Sequence, residues 1–369
     1  MNPSEIPNGF FPDDVILQIL ARLPVKSLFR FKSVCKFWCR LPGEKFFIQL
    51  YNEISSKNSM VLVEIRKCSL SGVSNFVCVD RSSCYSEFSL GFLNDRVKVR
   101  ASCNGLLCCT SVPNRSIYYV CNPMTRECRM LPRSRERPVS RYHPDNEATL
   151  VGLAADQSAR KFNVVLAGFY RPFGRRPLDC LICQVFDSET NAWKRFASSC
   201  HDEFTHMNRN QAVFACGSIH WLTYACLYVL VLDLGNEVWR KIRLPDEIAN
   251  GPSTRVYLLE LEGKVSVIQI SGVWMSIWVL VDYEREEWAI VDRVSLRCIK
   301  ASIRSAFPIS QTRDFVFLAT QNQILVYGRK NKVWKVVYSV MGTVAYPLWF
   351  SAYAFRSTLL SCHGSLENP

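Results

Sequence analysis

The sequence predicts a mainly β protein carrying a small three-helix head at its N-terminus. Three observations lead there. Near the start, apolar residues fall at helical spacing, at Ile16, Ile19, Leu20 and Leu23 and again at Val34, Phe37, Trp38 and Leu41. After about residue 59 the texture changes to short apolar runs broken by turns. Within that larger region a short unit recurs: an apolar run, an Asp, five residues and a Trp.

The head is read from Phe11 to Leu41, FFPDDVILQILARLPVKSLFRFKSVCKFWCRL, as three short helices punctuated by Pro12, Pro24 and Ser33. Pro12 followed by Asp13 and Asp14 suits a helix start, because acids favour the positive end of the helix dipole. Pro24 stops the first helix and opens the next, since it has no N–H to continue the ladder. So short a segment, far below the roughly 70 residues at which a core becomes self-sufficient, needs a staple or a docking surface. No disulfide pair or metal-ligand set is visible in it, so its apolar surplus must rest on the remaining chain or on another protein.

The order Pro12, Asp14, Ile19-Leu20, Arg22-Leu23-Pro24, Ser27-Leu28, Arg30-Phe31-Lys32, Val34-Cys35-Lys36 and Trp38 resembles the F-box, in register and without gaps. Phe11 and Val15 stand where that family more often has Leu. The resemblance implies docking on an Skp-type adaptor, which joins cullin and RING subunits in a ubiquitin ligase. It assigns the adaptor contact to Pro12, Leu20, Leu23, Pro24, Leu28, Val34, Cys35 and Trp38. Cys35 and Trp38 lie one turn apart and so share a helix face. Lys26, Arg30, Lys32 and Lys36 favour an acidic adaptor. Some of the apolar residues are expected only to hold the three helices together.

Phe46 to Asn58 reads as a helix tail and linker, and the boundaries are set at 6–50 for the head, 51–60 for a linker and 61–369 for the repeat region. The repeat occurs as VFDSETNAW from Asp187 to Trp193, VLDLGNEVW from Asp233 to Trp239, and LVDYEREEW from Asp282 to Trp288. VYGRKNKVW ends at Trp334 with Gly328 in the Asp place, and VCNPMTREC has Asn122 and Cys128 in the two places. The tryptophans are 46, 49 and 46 residues apart. Each unit reads as a hairpin. Runs such as Tyr228 to Leu232, Ile277 to Val281 and Ile324 to Tyr327 suit strands covered on both faces. The Asp or Asn bonds the backbone two residues on and starts the turn, and the Trp begins the return strand and packs on the neighbouring sheet.

Strand-rich repeats of about 40–50 residues predict a β-propeller, whose blades bury their faces on one another. The Asp-x5-Trp turns resemble the kelch repeat in part, though no Gly-Gly pair occurs. Ser102-Cys103-Asn104-Gly105-Leu106-Leu107 and Gly217-Ser218-Ile219-His220-Trp221-Leu222 resemble the F-box-associated region of the large plant F-box family. From Met60 about 310 residues remain, room for six or seven blades at this period, of which five hairpins are placed.

Composition bounds the function. Apolar residues make up 49% and charged residues 21%, a globular balance. The excess of 45 Lys and Arg over 32 Asp and Glu gives +13, which favours acidic partners and keeps nucleic acid in view. The basic residues are scattered, however, and a nucleic-acid groove wants aromatics interleaved with charge. The 17 cysteines are odd in number, and the polar Met1 to Asn8 start lacks a signal-peptide core, so a reducing cytosol or nucleus is expected. No apolar run reaches the roughly 18 residues of a membrane helix, the best being Val273 to Val281. With Asn at position 2 and Asn368-Pro369 at the end, neither myristoylation nor prenylation is expected.

Other constellations are weighed and set aside. Cys180 and Cys183 have CxxC spacing, but strand alternation points them apart and no second pair lies at zinc-finger distance. His201 and His206 fall in a polar loop, and His220 in a strand. No nucleophile elbow, phosphate loop or HExxH is present, so no catalytic residue, metal or cofactor is assigned. Two basic loops, Arg133 to Arg141 and Arg171 to Pro177, are either solvated or a grip for an acidic partner. Through the resemblance the chain is expected to be the non-catalytic target-recognition subunit of an Skp–cullin–F-box ubiquitin ligase. The alternatives are an interaction scaffold outside ubiquitination and a nucleic-acid-binding propeller.

Overall fold

The computed structural model describes residues 12–56, 59–65, 75–82, 85–93, 95–112, 116–134, 136, 138–139, 148, 150–156, 160–170, 181–196, 212–223, 225–249, 255–340 and 352–363. Its strands form six antiparallel sheets, the blades of a propeller. Blade 2 runs from Val97–Cys103 through Leu106–Ser111 and Tyr118–Asn122 to Glu127–Met130. Blade 3 follows with Leu150–Asp156, Lys161–Tyr170, Leu181–Asp187 and Ala192–Phe196, and the short strand Pro138–Val139 also pairs with its second strand. Blades 4, 5 and 6 begin at Val213–Ala215, Arg255–Leu261 and Phe307–Gln311 and end at Val238–Arg243, Glu287–Ser295 and Val333–Ser339.

Blade 1 is built from both ends of the chain. Ala352–Phe355 pairs with Met60–Ile65, which continues to Asn75–Val79 and Tyr85–Ser89. The register sets Met60 opposite Phe355 and Val63 opposite Ala352. Four residues from the far end of the sequence thus close the ring. A closed ring leaves no inner blade face unpaired, which answers the edge problem of an open sheet.

Six apolar clusters lie between successive blades, one at each junction. Phe186 and Phe162 of blade 3 meet Leu106 and Val120 of blade 2, and Phe317 of blade 6 meets Val61 and Val77 of blade 1. The near-continuous apolar strands follow from this, because each strand is covered on both faces.

The recurring Asp closes its hairpin as expected. Oδ1 of Asp187 accepts from the N–H groups of Glu189 (2.7 Å) and Thr190 (3.0 Å); Asp233 and Asp282 do the same two and three residues on. The fourth residue after the Asp place has positive φ in all five units: Arg126, Asn191, Glu237, Glu286 and Lys332, between 55° and 63°. The Trp then ties its blade to the preceding one. Trp193 Nε1 donates to the Pro132 carbonyl (2.7 Å), Trp288 to Arg243 (3.0 Å) and Trp334 to Ser295 (3.3 Å). Trp239 stacks instead against Trp221 of its own blade, with ring centres 5.7 Å apart.

The head consists of α1 (Asp13–Leu20), α2 (Val25–Arg30), α3 (Lys36–Arg40) and α4 (Lys45–Ser56). The last of these is more than a tail. Its residues Phe47, Ile48 and Tyr51 are buried at helical spacing, so the stretch assigned to a linker from residue 51 is helical as far as Ser56.

Candidate protein-docking site

The head folds locally as its punctuation dictates. Pro12 and Pro24 occupy the N-caps of α1 and α2 in extended conformation, with Asp13 and Asp14 in the first turn of α1. Cys35 caps α3, its Sγ accepting the Trp38 N–H at 3.4 Å. The Trp38 ring meets Phe31 edge-on at 5.9 Å, which fixes the angle between the second and third helices.

The eight residues assigned to an adaptor contact do not share one environment. Leu20 and Leu28, each 2% exposed, belong to the head's own core with Val25, Leu41 and Phe47 and present no surface to a partner. Leu23 and Trp38 are half-buried against that core, and Cys35 is half-buried. Pro12, Pro24 and Val34 are exposed, Val34 at 58%. Three apolar side chains of the same stretch that are not among the residues assigned to the contact lie open: Val15 and Ile19 on one side of α1, and Phe31. The helical stripe of Ile16, Ile19, Leu20 and Leu23 divides, with Ile16, Leu20 and Leu23 packed on the core and Ile19 left outside. Lys26, Arg30 and Lys36 are exposed around them, and Lys32 lies over the Phe29 ring at 4.9 Å.

What supports the head is the chain's other end. The segment after Phe355 passes between α4 and blade 2. Leu359 is 5% exposed and lies inside the head's core, joined by Met124 from the blade 2 hairpin. Thr358 donates through its hydroxyl to Asn52 of α4 (3.3 Å), and Ser357 bonds the Tyr51 side chain. Burial pushes the Tyr51 phenol up to about 12, so it stays protonated. From the propeller, Asn122 Nδ2 donates to the carbonyls of Thr358 and Leu360, and Arg129 to that of Cys362. The segment 356–362 is thus held by the head on one side and the propeller on the other. The sequence carries no motif for this strap.

The constellations set aside stay structural where they are described. His220 is buried in blade 4 between the Val213 carbonyl (3.2 Å) and the Tyr283 hydroxyl (2.8 Å). Because a carbonyl only accepts, Nδ1 carries the proton and Nε2 accepts from the tyrosine. Desolvation lowers its pKa to about 4. Burial pushes the Cys103, Cys108 and Cys183 thiols up to about 12, away from nucleophilic thiolate. Among the described residues no group of three His, Cys, Asp or Glu side chains gathers to hold a metal. Cys180, His201, His206, Arg171 to Pro177 and most of the segment from Arg135 to Arg141 lie outside the described residues.

The comparisons with known proteins match both the head and the propeller. The F-box domain matches residues 11–43, and the F-box associated beta propeller domain matches residues 56–348. The chain belongs to the F-box proteins that carry this propeller. F-box protein At5g49610 of Arabidopsis thaliana is 57% identical over 96% of this chain and 98% of its own. Putative F-box/kelch-repeat protein At1g12870 of the same plant is 26% identical over 77% of this chain and 71% of its own. The solved oligogalacturonate lyase from Vibrio parahaemolyticus overlays with a TM-score of 0.43 at 8% identity, covering 76% of each chain, a distant likeness of shape.

Proposed function

We propose that this F-box protein is the target-recognition subunit of an Skp–cullin–F-box ubiquitin ligase. The observation that carries the proposal is the outer side of the head. A segment of about thirty residues matching the F-box leaves Val15, Ile19, Phe31 and Val34 in solvent, the last two within a run of basic side chains. Open apolar side chains ringed by charge suit a protein partner, here an acidic Skp-type adaptor that brings cullin and RING subunits with it. Leu20 and Leu28 shape that surface from within.

The chain's role in the chemistry is geometric. A target held on the propeller stands near the charged ubiquitin-conjugating enzyme, and its lysines meet ubiquitin at raised effective concentration. No residue of this chain exchanges a proton or forms a bond in that scheme. The strap of residues 356–362 serves it by keeping the head at one angle to the propeller, so the target is presented in one place. The thirteen described cysteines are all free, which accords with a reducing cytosol or nucleus as the place of work.

Affinity capture with the full chain and with Val34→Asp tests the proposal. The substitution is preferable to removing residues 1–50, since that truncation cuts α4 and strips the cover from Leu359. The adaptor and cullin co-purify with the natural chain and are lost with the variant, while propeller-bound targets stay with both. Absence of the adaptor from both samples contradicts the proposal.

A further inference from the structure

A cleft of about 290 Å3 separates the head from blades 1 and 6. Leu23, Pro24 and Ile54 line it from the head; Arg81, Ser82 and Phe315 line it from the propeller. Of the residues that the sequence assigns to the adaptor, Pro24 is exposed and Leu23 half-buried at this cleft, which thus adjoins that set. Arg81 is exposed, and its guanidinium lies 5.2 Å from the centre of the Phe315 ring. The cleft therefore offers a cationic rim beside an apolar wall.

The head's side of the cleft carries one sign of charge: from Arg22 to Arg40 the head has six cations and no acid. The propeller side is mixed: Asp80 lines the cleft beside Arg81 and caps its own turn through the Ser82 N–H at 2.8 Å, and Asp314, which also feels the Arg81 charge, pairs with Lys330 at 2.9 Å. In the lining itself the guanidiniums of Arg22 and Arg81 stand against the one carboxylate of Asp80, which leaves it net positive. An acidic ligand meets attraction along the head and into the cleft.

We infer that the adaptor's footprint extends beyond the F-box into this cleft. The occupant is an acidic segment of the same adaptor bearing an apolar side chain. Its carboxylate pairs with Arg81, and its apolar side chain rests on Leu23, Pro24, Ile54 and Phe315. This inference rests on the head being the adaptor's docking site. It adds a role for the propeller: contact on both sides of the cleft fixes the angle between adaptor and target-binding domain.

The test titrates a purified Skp-type adaptor into the full chain and four variants. Arg81→Glu reverses the rim charge, and Ser82→Trp fills the cleft from an exposed turn. Lys241→Glu makes the same charge change on blade 4, and Val34→Asp disables the head. Reversing the rim charge weakens binding about tenfold, mainly through slower association that high salt abolishes. Filling the cleft weakens it by a similar factor at any salt, and Lys241→Glu binds as the natural chain. Natural affinity in both cleft variants, with Val34→Asp inactive, overturns the inference and leaves the ligase proposal standing. Failure of the natural chain to bind overturns both.

Discussion

Asn122 Nδ2 donates to the carbonyl of Thr358 at 3.1 Å and to that of Leu360 at 3.0 Å. Its Oδ1 meanwhile caps the blade 2 hairpin through the Met124 N–H at 2.9 Å. One side chain thus performs the turn chemistry that Asp performs in blades 3, 4 and 5 and also clamps the strap beneath the head. Only an amide does both, because a carboxylate has no donor. That is the physical reason for Asn where other blades have Asp. Asn122→Asp should keep the hairpin but turn a fully buried carboxylate toward two carbonyls, costing about 3 kcal/mol or more. Thermal unfolding checks this, and an unchanged midpoint would show that the clamp carries no weight.

Gly105 grips the same strap by having no side chain. Its φ is +85°, and a Cβ there would lie 2.4 Å from Thr358 Cγ2 and 2.5 Å from the Arg356 carbonyl oxygen. Gly105→Ala combines left-handed strain with a clash against backbone, and a loss of about 3 kcal/mol is expected. Gly217→Ala is the control, since its φ is +73° but nothing lies within 4 Å of the added carbon. Denaturant titration should show Gly105→Ala as clearly the worse of the two.

His220 should make stability depend on pH in a defined window. Its folded pKa near 4 lies below the ordinary 6.5. Above pH 6.5 both states are neutral. As pH falls from 6.5 to 4 the unfolded chain takes up a proton that the folded chain refuses, so stability declines. The drop is about 3 kcal/mol at 1.36 kcal/mol per pKa unit, and below pH 4 this contribution levels off. Unfolding curves at pH 7 and pH 5 for the natural chain and His220→Gln check it, with the variant expected to lose some of the slope.

Trp288→Phe isolates one inter-blade hydrogen bond. The ring packing on the blade 4–5 junction is largely kept, and the donor to the Arg243 carbonyl is removed. A loss of about 1 kcal/mol is expected, since the freed carbonyl on an exposed strand end is open to water. A much larger loss would show that the indole's shape, rather than its N–H, joins the blades.

Particular residues show how far the sequence reaches. Pro12, Pro24 and the helical spacing around them were legible because caps and periodicity are local. The five hairpins were legible because the Asp and Trp places repeat in register, with Asn122, Gly328 and Cys128 as the substitutes, whereas the positive φ four residues after the Asp place falls on Arg, Asn, Glu and Lys and leaves no such mark. The sixth blade was not, because its strands come from opposite ends of the chain and the sixth residue after Asp80 is Ser86, where Trp would mark the repeat. The blade count, left between six and seven, is six. Leu20 and Leu28 fall to the docking surface on sequence alone because a short amphipathic helix does not reveal which side its own domain covers. Leu359 decides that question, and it lies more than three hundred residues from Leu20. The strap was silent because the propeller holds it by its backbone carbonyls, which leave no mark on a sequence, and its side chains meet α4 residues some three hundred positions away.

The proposed docking of an Skp-type adaptor on the outer side of the head is tested by hydrogen–deuterium exchange of the full chain, with and without purified adaptor. Slowed exchange across residues 12–38 is expected, with the blade 4 and blade 5 strands unaffected. Binding that leaves residues 12–38 unprotected, or that protects only the propeller, would contradict it.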